Sequence, residues 1–218
     1  MLQAVIFDMD GVIADTEPLH TQAYVEVLKE FGIHVSKDQY RKAITEEGKT
    51  IATWFVELGG NPEQIDELYR QKDGIYFPLL REQGTPRPGL LRLLSEIKES
   101  RVACALATSA RRVNVEFILD LFGLGHFFAA TLALEDVTHV KPHPEVFLVT
   151  LKRLSAQPYG AVVLEDAPKG VRAAVDARIP VVVIPTPWTR HYHFDGAALV
   201  VESLEDLSVS RLTQLLPK

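Results

Sequence analysis

Six short apolar runs, none alternating apolar with polar residues, constrain the fold of this 218-residue chain more than any other feature. They are AVIFD (4–8), VACALAT (102–108), FFAATLAL (127–134), GAVVLED (160–166), IPVVVIP (179–185) and AALVV (197–201). Each is bounded by Gly, Pro or polar residues. Runs of this kind suit strands covered on both faces, as in a parallel sheet. Helical patterns separate them. GLLRLLSEIKES (89–100) keeps Leu90, Leu91, Leu93, Leu94 and Ile97 on one apolar stripe, and RRVNVEFILDLF (111–122) and PEVFLVTLKRL (144–154) behave alike. Strand alternating with helix predicts an α/β fold, a doubly wound parallel sheet.

One segment breaks the rhythm. Residues 16–82 hold no convincing strand but four helical stretches, at 17–32, 37–44, 49–59 and 62–84. The return segment GTPRPG (84–89) carries two prolines and two glycines, a boundary signal. The expectation is an α/β core of residues 1–15 and 83–218, with an all-helical domain inserted over 16–82. An insert at that point would lie over the carboxyl ends of the strands, where open α/β sheets bind ligands.

Composition excludes several classes. A net charge of −6 disfavours a nucleic-acid or anionic membrane surface, which needs clustered Lys and Arg. No apolar run nears the roughly 18 residues of a membrane span. Cys104 is the single cysteine, so there is no intrachain disulfide framework, and its apolar strand makes it an inert core thiol. The opening Met-Leu-Gln-Ala enters a strand at once without a signal peptide pattern, and the expected location is cytoplasmic.

The chemistry gathers where the runs end. Asp8 and Asp10 close the first run, and residues i and i+2 of an extended chain point the same way. Two carboxylates about 5 Å apart repel by about 0.8 kcal/mol in water and about 3 kcal/mol at an effective dielectric of about 20. A divalent cation with oxygen ligands offsets this, and Mg²⁺ commonly binds through one or two carboxylates plus phosphate oxygens. The plain alternative is an Asp-rich surface turn. The second run ends in Thr108, Ser109 and Ala110 before a helix, either a phosphate site or an ordinary N-cap. Lys141 precedes Pro142, and a lone lysine is usually a solvated side chain. Glu165 and Asp166 end the fourth run, two more acids that ask for a cation, and Gly170 lets a helix begin close by.

Together, Asp8-x-Asp10-Gly11-Val12, Thr108-Ser109, Lys141-Pro142 and Glu165-Asp166 resemble, in order, the four motifs of the haloacid dehalogenase superfamily. The helical insert is similar to the cap of its β-phosphoglucomutase-like and phosphoglycolate phosphatase-like members. The resemblance implies Asp8 as nucleophile, forming an aspartyl-phosphate, and Asp10 as general acid/base. It implies Thr108, with Ser109 and Ala110, on the phosphoryl group, and Lys141 paired with that group and with Asp8. Mg²⁺ would be held by Asp8, the Asp10 carbonyl, Asp166 and Glu165, the last directly or through water. Four carboxylates, one Mg²⁺ and one lysine leave the site near charge balance before phosphate enters. An acid at position 10 favours phosphomonoester chemistry over carbon–halogen or carbon–phosphorus cleavage.

There are departures. Val140 precedes Lys141 where relatives often have Gly. In TEEGKTI (45–51), Gly48 and Lys49 fit a substrate loop, but Ile51 stands where a mutase-like Arg is expected, which weakens a mutase reading. Lys72 with Tyr76 four residues on, and His20 after DTEPL, resemble substrate-facing cap residues; the alternatives are helix surface and packing. His191 and His193 are a metal pair or, more simply, a solvated loop, and Arg111 and Arg112 line a helix start.

The reading is a Mg²⁺-dependent phosphatase of a small phosphorylated metabolite, a sugar phosphate or short organic acid phosphate. The expected assembly is a monomer or weak homodimer, with no nucleic-acid or membrane partner. The alternatives are a β-phosphoglucomutase-type phosphomutase and a non-catalytic phosphate-binding or regulatory domain.

Overall fold

The first apolar run forms β1 (Ala4–Phe7), every residue of it buried. The computed structural model describes residues 1–217. Five further strands follow: β2 (Ala103–Ala107), β3 (Ala130–Leu132), β4 (Ala161–Glu165), β5 (Val181–Val183) and β6 (Leu199–Val200). All pair in parallel, in the order β3-β2-β1-β4-β5-β6. β1 is therefore central, and the order reverses between it and its neighbours. In such a sheet the crevice outside the carboxyl ends at this reversal is the natural ligand site.

The chain divides into two compact units, Met1–Asp15 with Thr85–Lys218, and Thr16–Gly84. In the first, α5 (Leu90–Glu99), α6 (Arg112–Phe122), α7 (Glu145–Leu154), α8 (Pro168–Asp176) and α9 (Val209–Thr213) alternate with the strands, and the four helices before them belong to the second. α7 lies against β1, β2 and β3, α8 against β4 and β5, and α5 against β2. Ile6, Val163, Val181 and Val183 of the sheet pack with Val146, Phe147 and Leu151 of α7 and with Ala173 and Ala174 of α8. Each fully buried large side chain stabilises by about 1.5–3 kcal/mol. The segments that leave and re-enter this unit pair with each other: Ala14 bridges Pro86, and Arg87 N–H donates to Ile13 O at 2.8 Å. The Arg87 guanidinium then donates to Pro185 O beyond β5 at 3.3 Å.

The helical unit comprises α1 (Glu17–Glu30), α2 (Lys37–Tyr40), α3 (Ile51–Glu57) and α4 (Ile65–Gln83). The helix expected over 37–44 is short. Ser36 and Gln39 form a reciprocal cap at its start, but after Tyr40 the backbone widens into a π-helix over Arg41–Glu46. Thr50 caps α3, accepting from Thr53 N–H at 3.1 Å. The core of this unit is aromatic: Tyr24, Tyr40, Trp54 and Phe55 pack with Val27, Leu28 and Leu68. Among the described residues, no helix is long and apolar enough to cross a membrane.

Candidate active site

Three parallel strands end in polar side chains at one edge of the sheet. Asp8 directly follows β1 and its N–H donates to Leu164 O of β4 at 2.9 Å. Thr108 follows β2, donating to Leu132 O of β3 at 3.1 Å. Glu165 ends β4 and Asp166 follows it. The adjacent register of β2, β1 and β4 brings residues more than fifty positions apart in sequence into one cluster.

Lys141 joins them. The residue is 5% exposed, and its ammonium donates to Asp8 Oδ1 at 2.5 Å, Glu165 Oε1 at 2.7 Å and Ala107 O at 2.9 Å. Three donors thus meet three acceptors, and the Phe147 ring lies 4.8 Å from the nitrogen. The lysine sits on a segment turned by a cis Lys141–Pro142 peptide. Burial alone would lower the Lys141 pKa, but the carboxylates of Asp8 and Glu165 outweigh burial, raise the pKa and hold the amine charged. The Asp8 pKa is raised too, which favours its neutral form. Burial pushes its carboxyl up to about 7 against the opposing pull of Lys141, with Glu165 and Asp10 adding repulsion. Asp10 is half-buried.

Glu165 is 1% exposed and both its oxygens have protein donors: Lys141 on Oε1, and the N–H groups of Asp166 and Ala167 on Oε2 at 3.1 and 3.3 Å. Two glycines make room for the acids. A Cβ on Gly170 would fall 1.8 Å from Glu165 Oε1, and one on Gly11, whose φ is +83°, would fall 2.3 Å from Asp166 Oδ2. The sequence shows Gly170 only as the start of a helix; its contact with a carboxylate depends on how α8 returns along β4. Asp8, Glu165 and Asp166 each offer a carboxylate oxygen, all within 4.8 Å of one another. An all-oxygen, acidic cluster with one lysine fits a hard divalent cation such as Mg²⁺. The Thr108 hydroxyl accepts from Ala110 N–H at 3.1 Å, and Ser109 and Ala110 are half-buried in the turn leading to α6.

The remaining predicted residues lie in the helical unit. His20 stacks on Tyr76 with ring centroids 4.1 Å apart, and Lys72, 1% exposed, places its ammonium 3.9 Å from the same ring and 3.2 Å from Asp73 Oδ1. His20 and Lys72 are thus brought together on one aromatic ring. Gly48, at φ +68°, turns the loop before α3, and Lys49 pairs there with Glu57 and Glu47 at 2.6 and 3.2 Å. Ile51 belongs to the apolar core of this unit. His191 and His193 are exposed, and among the described residues neither joins three donors close enough to hold a metal. Arg112 pairs with Asp136 and Thr131 on the sheet unit's surface.

A doubly wound sheet with this acid–lysine cluster at its switch point defines a phosphoryl-transfer hydrolase core. The chain belongs to the haloacid dehalogenase-like hydrolase family, whose model matches residues 5–184. It is 32% identical over 218 residues to protein CbbY of Cereibacter sphaeroides, covering 95% of this chain and 94% of that protein. It is 34% identical over 182 residues to a phosphorylated carbohydrates phosphatase of Thermotoga maritima, covering 82% of each. The crystal structure of CbbY from Rhodobacter sphaeroides in complex with phosphate matches at a TM-score of 0.85 with 30% identity, covering 95% of this chain and 96% of that one.

Proposed function

We propose that this chain is a cytoplasmic, Mg²⁺-dependent phosphatase of a small sugar phosphate, acting through an aspartyl-phosphate on Asp8. The observation that carries the reading is the Lys141 ammonium held between Asp8 and Glu165, with Asp166 alongside. Relatives named as a phosphorylated carbohydrates phosphatase and as CbbY, the latter crystallised with phosphate, support the substrate class.

Lys141 grips Asp8 Oδ1 and so orients the carboxylate, leaving Oδ2 as the attacking oxygen. Asp8 and Asp166, with the Asp10 carbonyl, would hold Mg²⁺. Glu165, with its oxygens committed to Lys141 and the following turn, supports that set. Bound Mg²⁺ would neutralise the acids and draw negative charge from the phosphoryl oxygens. Oδ2 attacks phosphorus, the ester P–O bond breaks, and Asp10 gives its proton to the departing sugar oxygen. Asp10, now ionised, takes a proton from water; the water oxygen bonds phosphorus, the acyl P–O bond breaks, and Asp8 and inorganic phosphate are regenerated. The Thr108 hydroxyl and the Ser109 and Ala110 amides supply donors for the phosphoryl oxygens. Gly48, Lys49, His20 and Lys72 are proposed to bind the sugar or a second phosphate.

The test is phosphate release from a panel of sugar and organic acid phosphates, in Mg²⁺ and in EDTA, with Asp8→Asn alongside. Release in Mg²⁺ alone, abolished in a folded Asp8→Asn, is expected. Full activity of that variant would overturn the nucleophile assignment. Interconversion of a hexose 1-phosphate, only when a bisphosphate is added, would assign the mutase reaction instead.

A further inference from the structure

We propose that His139, His143 and Glu145 form a second metal site, for a borderline transition metal of the Zn²⁺ class, astride the loop that carries Lys141. The three residues bracket Lys141 closely: His139 two positions before it, His143 two after, and Glu145 as the first residue of α7. Each offers one donor atom, and the three lie within 4.8 Å of one another. His139 Nδ1 is 2.9 Å from Glu145 Oε2, His143 Nδ1 is 3.9 Å from it, and the two rings are 4.6 Å apart.

The donor set is chemically distinct from the acid cluster. Two imidazoles and a carboxylate suit Zn²⁺, which takes this combination with water in the fourth position; Mg²⁺ prefers oxygen alone. The two histidine side chains are 63% and 51% exposed, so a metal has open access, and hydrogen bonds of His139 Nδ1 with Glu145 Oε2 and of Glu145 N–H with His143 Nδ1 already gather the three residues. Glu145 is held in place beforehand: its Oε1 accepts from Thr138 N–H and its Oε2 from His139 N–H, both at 2.9 Å. The Thr138 N–H bond first, then the His139 ring and the His139 N–H, keep the carboxyl below its ordinary pKa. Zn–N bonds of about 2.0–2.1 Å place tetrahedral donors about 3.3 Å apart, so the 3.9 Å between His143 Nδ1 and Glu145 Oε2 need close by only about 0.6 Å. His143 Nδ1 would exchange the Glu145 N–H bond, 3.2 Å long, for the metal. Binding would close a ring around Lys141 and fix the segment whose ammonium holds Asp8 and Glu165.

The test is calorimetric titration of Zn²⁺ into the full chain in excess Mg²⁺, with Co²⁺ absorbance reporting geometry. One Zn²⁺ per chain is expected, with a tetrahedral Co²⁺ spectrum. At about 100-fold Kd the melting temperature should rise by about 5–10 °C. His143→Gln and Glu145→Gln should each weaken Zn²⁺ at least about tenfold. His143→Gln should keep its Mg²⁺-supported phosphatase activity, which shows that the variant is folded, and Asp166→Asn should leave this Zn²⁺ affinity unchanged. No Zn²⁺ binding, equal affinity in the His143 variant, or loss in Asp166→Asn alone would each overturn the site. None of these readouts depends on which phosphate ester the enzyme hydrolyses.

Discussion

Lys141 is the residue on which the site's electrostatics turn. It is the buried cation of a cluster containing Asp8, Glu165 and Asp166, and its three donors are all used. Removing one partner of a buried ion pair costs about 3–5 kcal/mol, because the uncompensated charge stays behind. Lys141→Gln is therefore expected to lose several kcal/mol in EDTA and to recover part of that in Mg²⁺, as read by urea titration. Its phosphatase activity should fall about 10³-fold, the scale of a lost charge-stabilising donor. Gly170 acts at the same scale. With a Cβ landing 1.8 Å from Glu165 Oε1, Gly170→Ala must displace that carboxylate or shift α8. Overpacking of this kind costs about 1–3 kcal/mol. Because the displaced acid is proposed to support the metal set, the Mg²⁺ concentration for half-maximal rate should also rise about 10-fold or more. A variant with unchanged Mg²⁺ dependence would separate Glu165 from the cation.

At the element scale, the strands were legible because each is an unbroken apolar run that ends abruptly in polar chemistry. The same signal overstates their length: FFAATLAL spans eight residues, but a 3-10 turn takes Gly125–Phe127 and only Ala130–Leu132 pairs. β3 is an edge strand, and its flanks have no second neighbour to hold them extended. The π-helix over Arg41–Glu46 was not legible, since residue composition does not distinguish a widened helical turn from an ordinary one. The acids and Thr108 were legible as strand ends. The grip of Lys141 on Asp8, 133 positions away, followed from the family resemblance and not from spacing, because strand order decides it. The His139–His143–Glu145 cluster was hidden by the intervening turn. α4 carries an element-scale weakness that is open to test. Gly74 lies in its interior, exposed and with nothing within 4 Å of where a Cβ would stand. Pro78, four residues on, has no N–H to give the Gly74 carbonyl. Gly74→Ala fits the helix and is expected to stabilise by about 0.5–1 kcal/mol, chiefly by narrowing the unfolded ensemble. A thermal melt should show a rise of about 1–4 °C. A fall would mean that the glycine serves a conformation other than this helix.

The scale of the whole molecule is where proton, cation and stability meet. In the metal-free site, burial raises Asp8 from 3.8 to about 7. Between those two pH values the folded protein keeps a proton that the unfolded chain has released. The folded state therefore binds more protons, and stability from this group falls as pH rises through the window, levelling above about 7. A divalent cation favours the ionised form and competes with that proton. Mg²⁺ should accordingly stabilise the fold little near pH 5, where it must displace the proton, and most near pH 8, where it meets a destabilised carboxylate. Melting curves in Mg²⁺ and in EDTA at matched ionic strength, taken at both pH values, measure the difference. The Mg²⁺ increment should be larger at the higher pH. Asp8→Asn, having no proton to exchange, should show a nearly flat increment across the same range. Equal increments in the parent protein would place the cation away from Asp8, and with it the charge balance on which the hydrolytic reading rests.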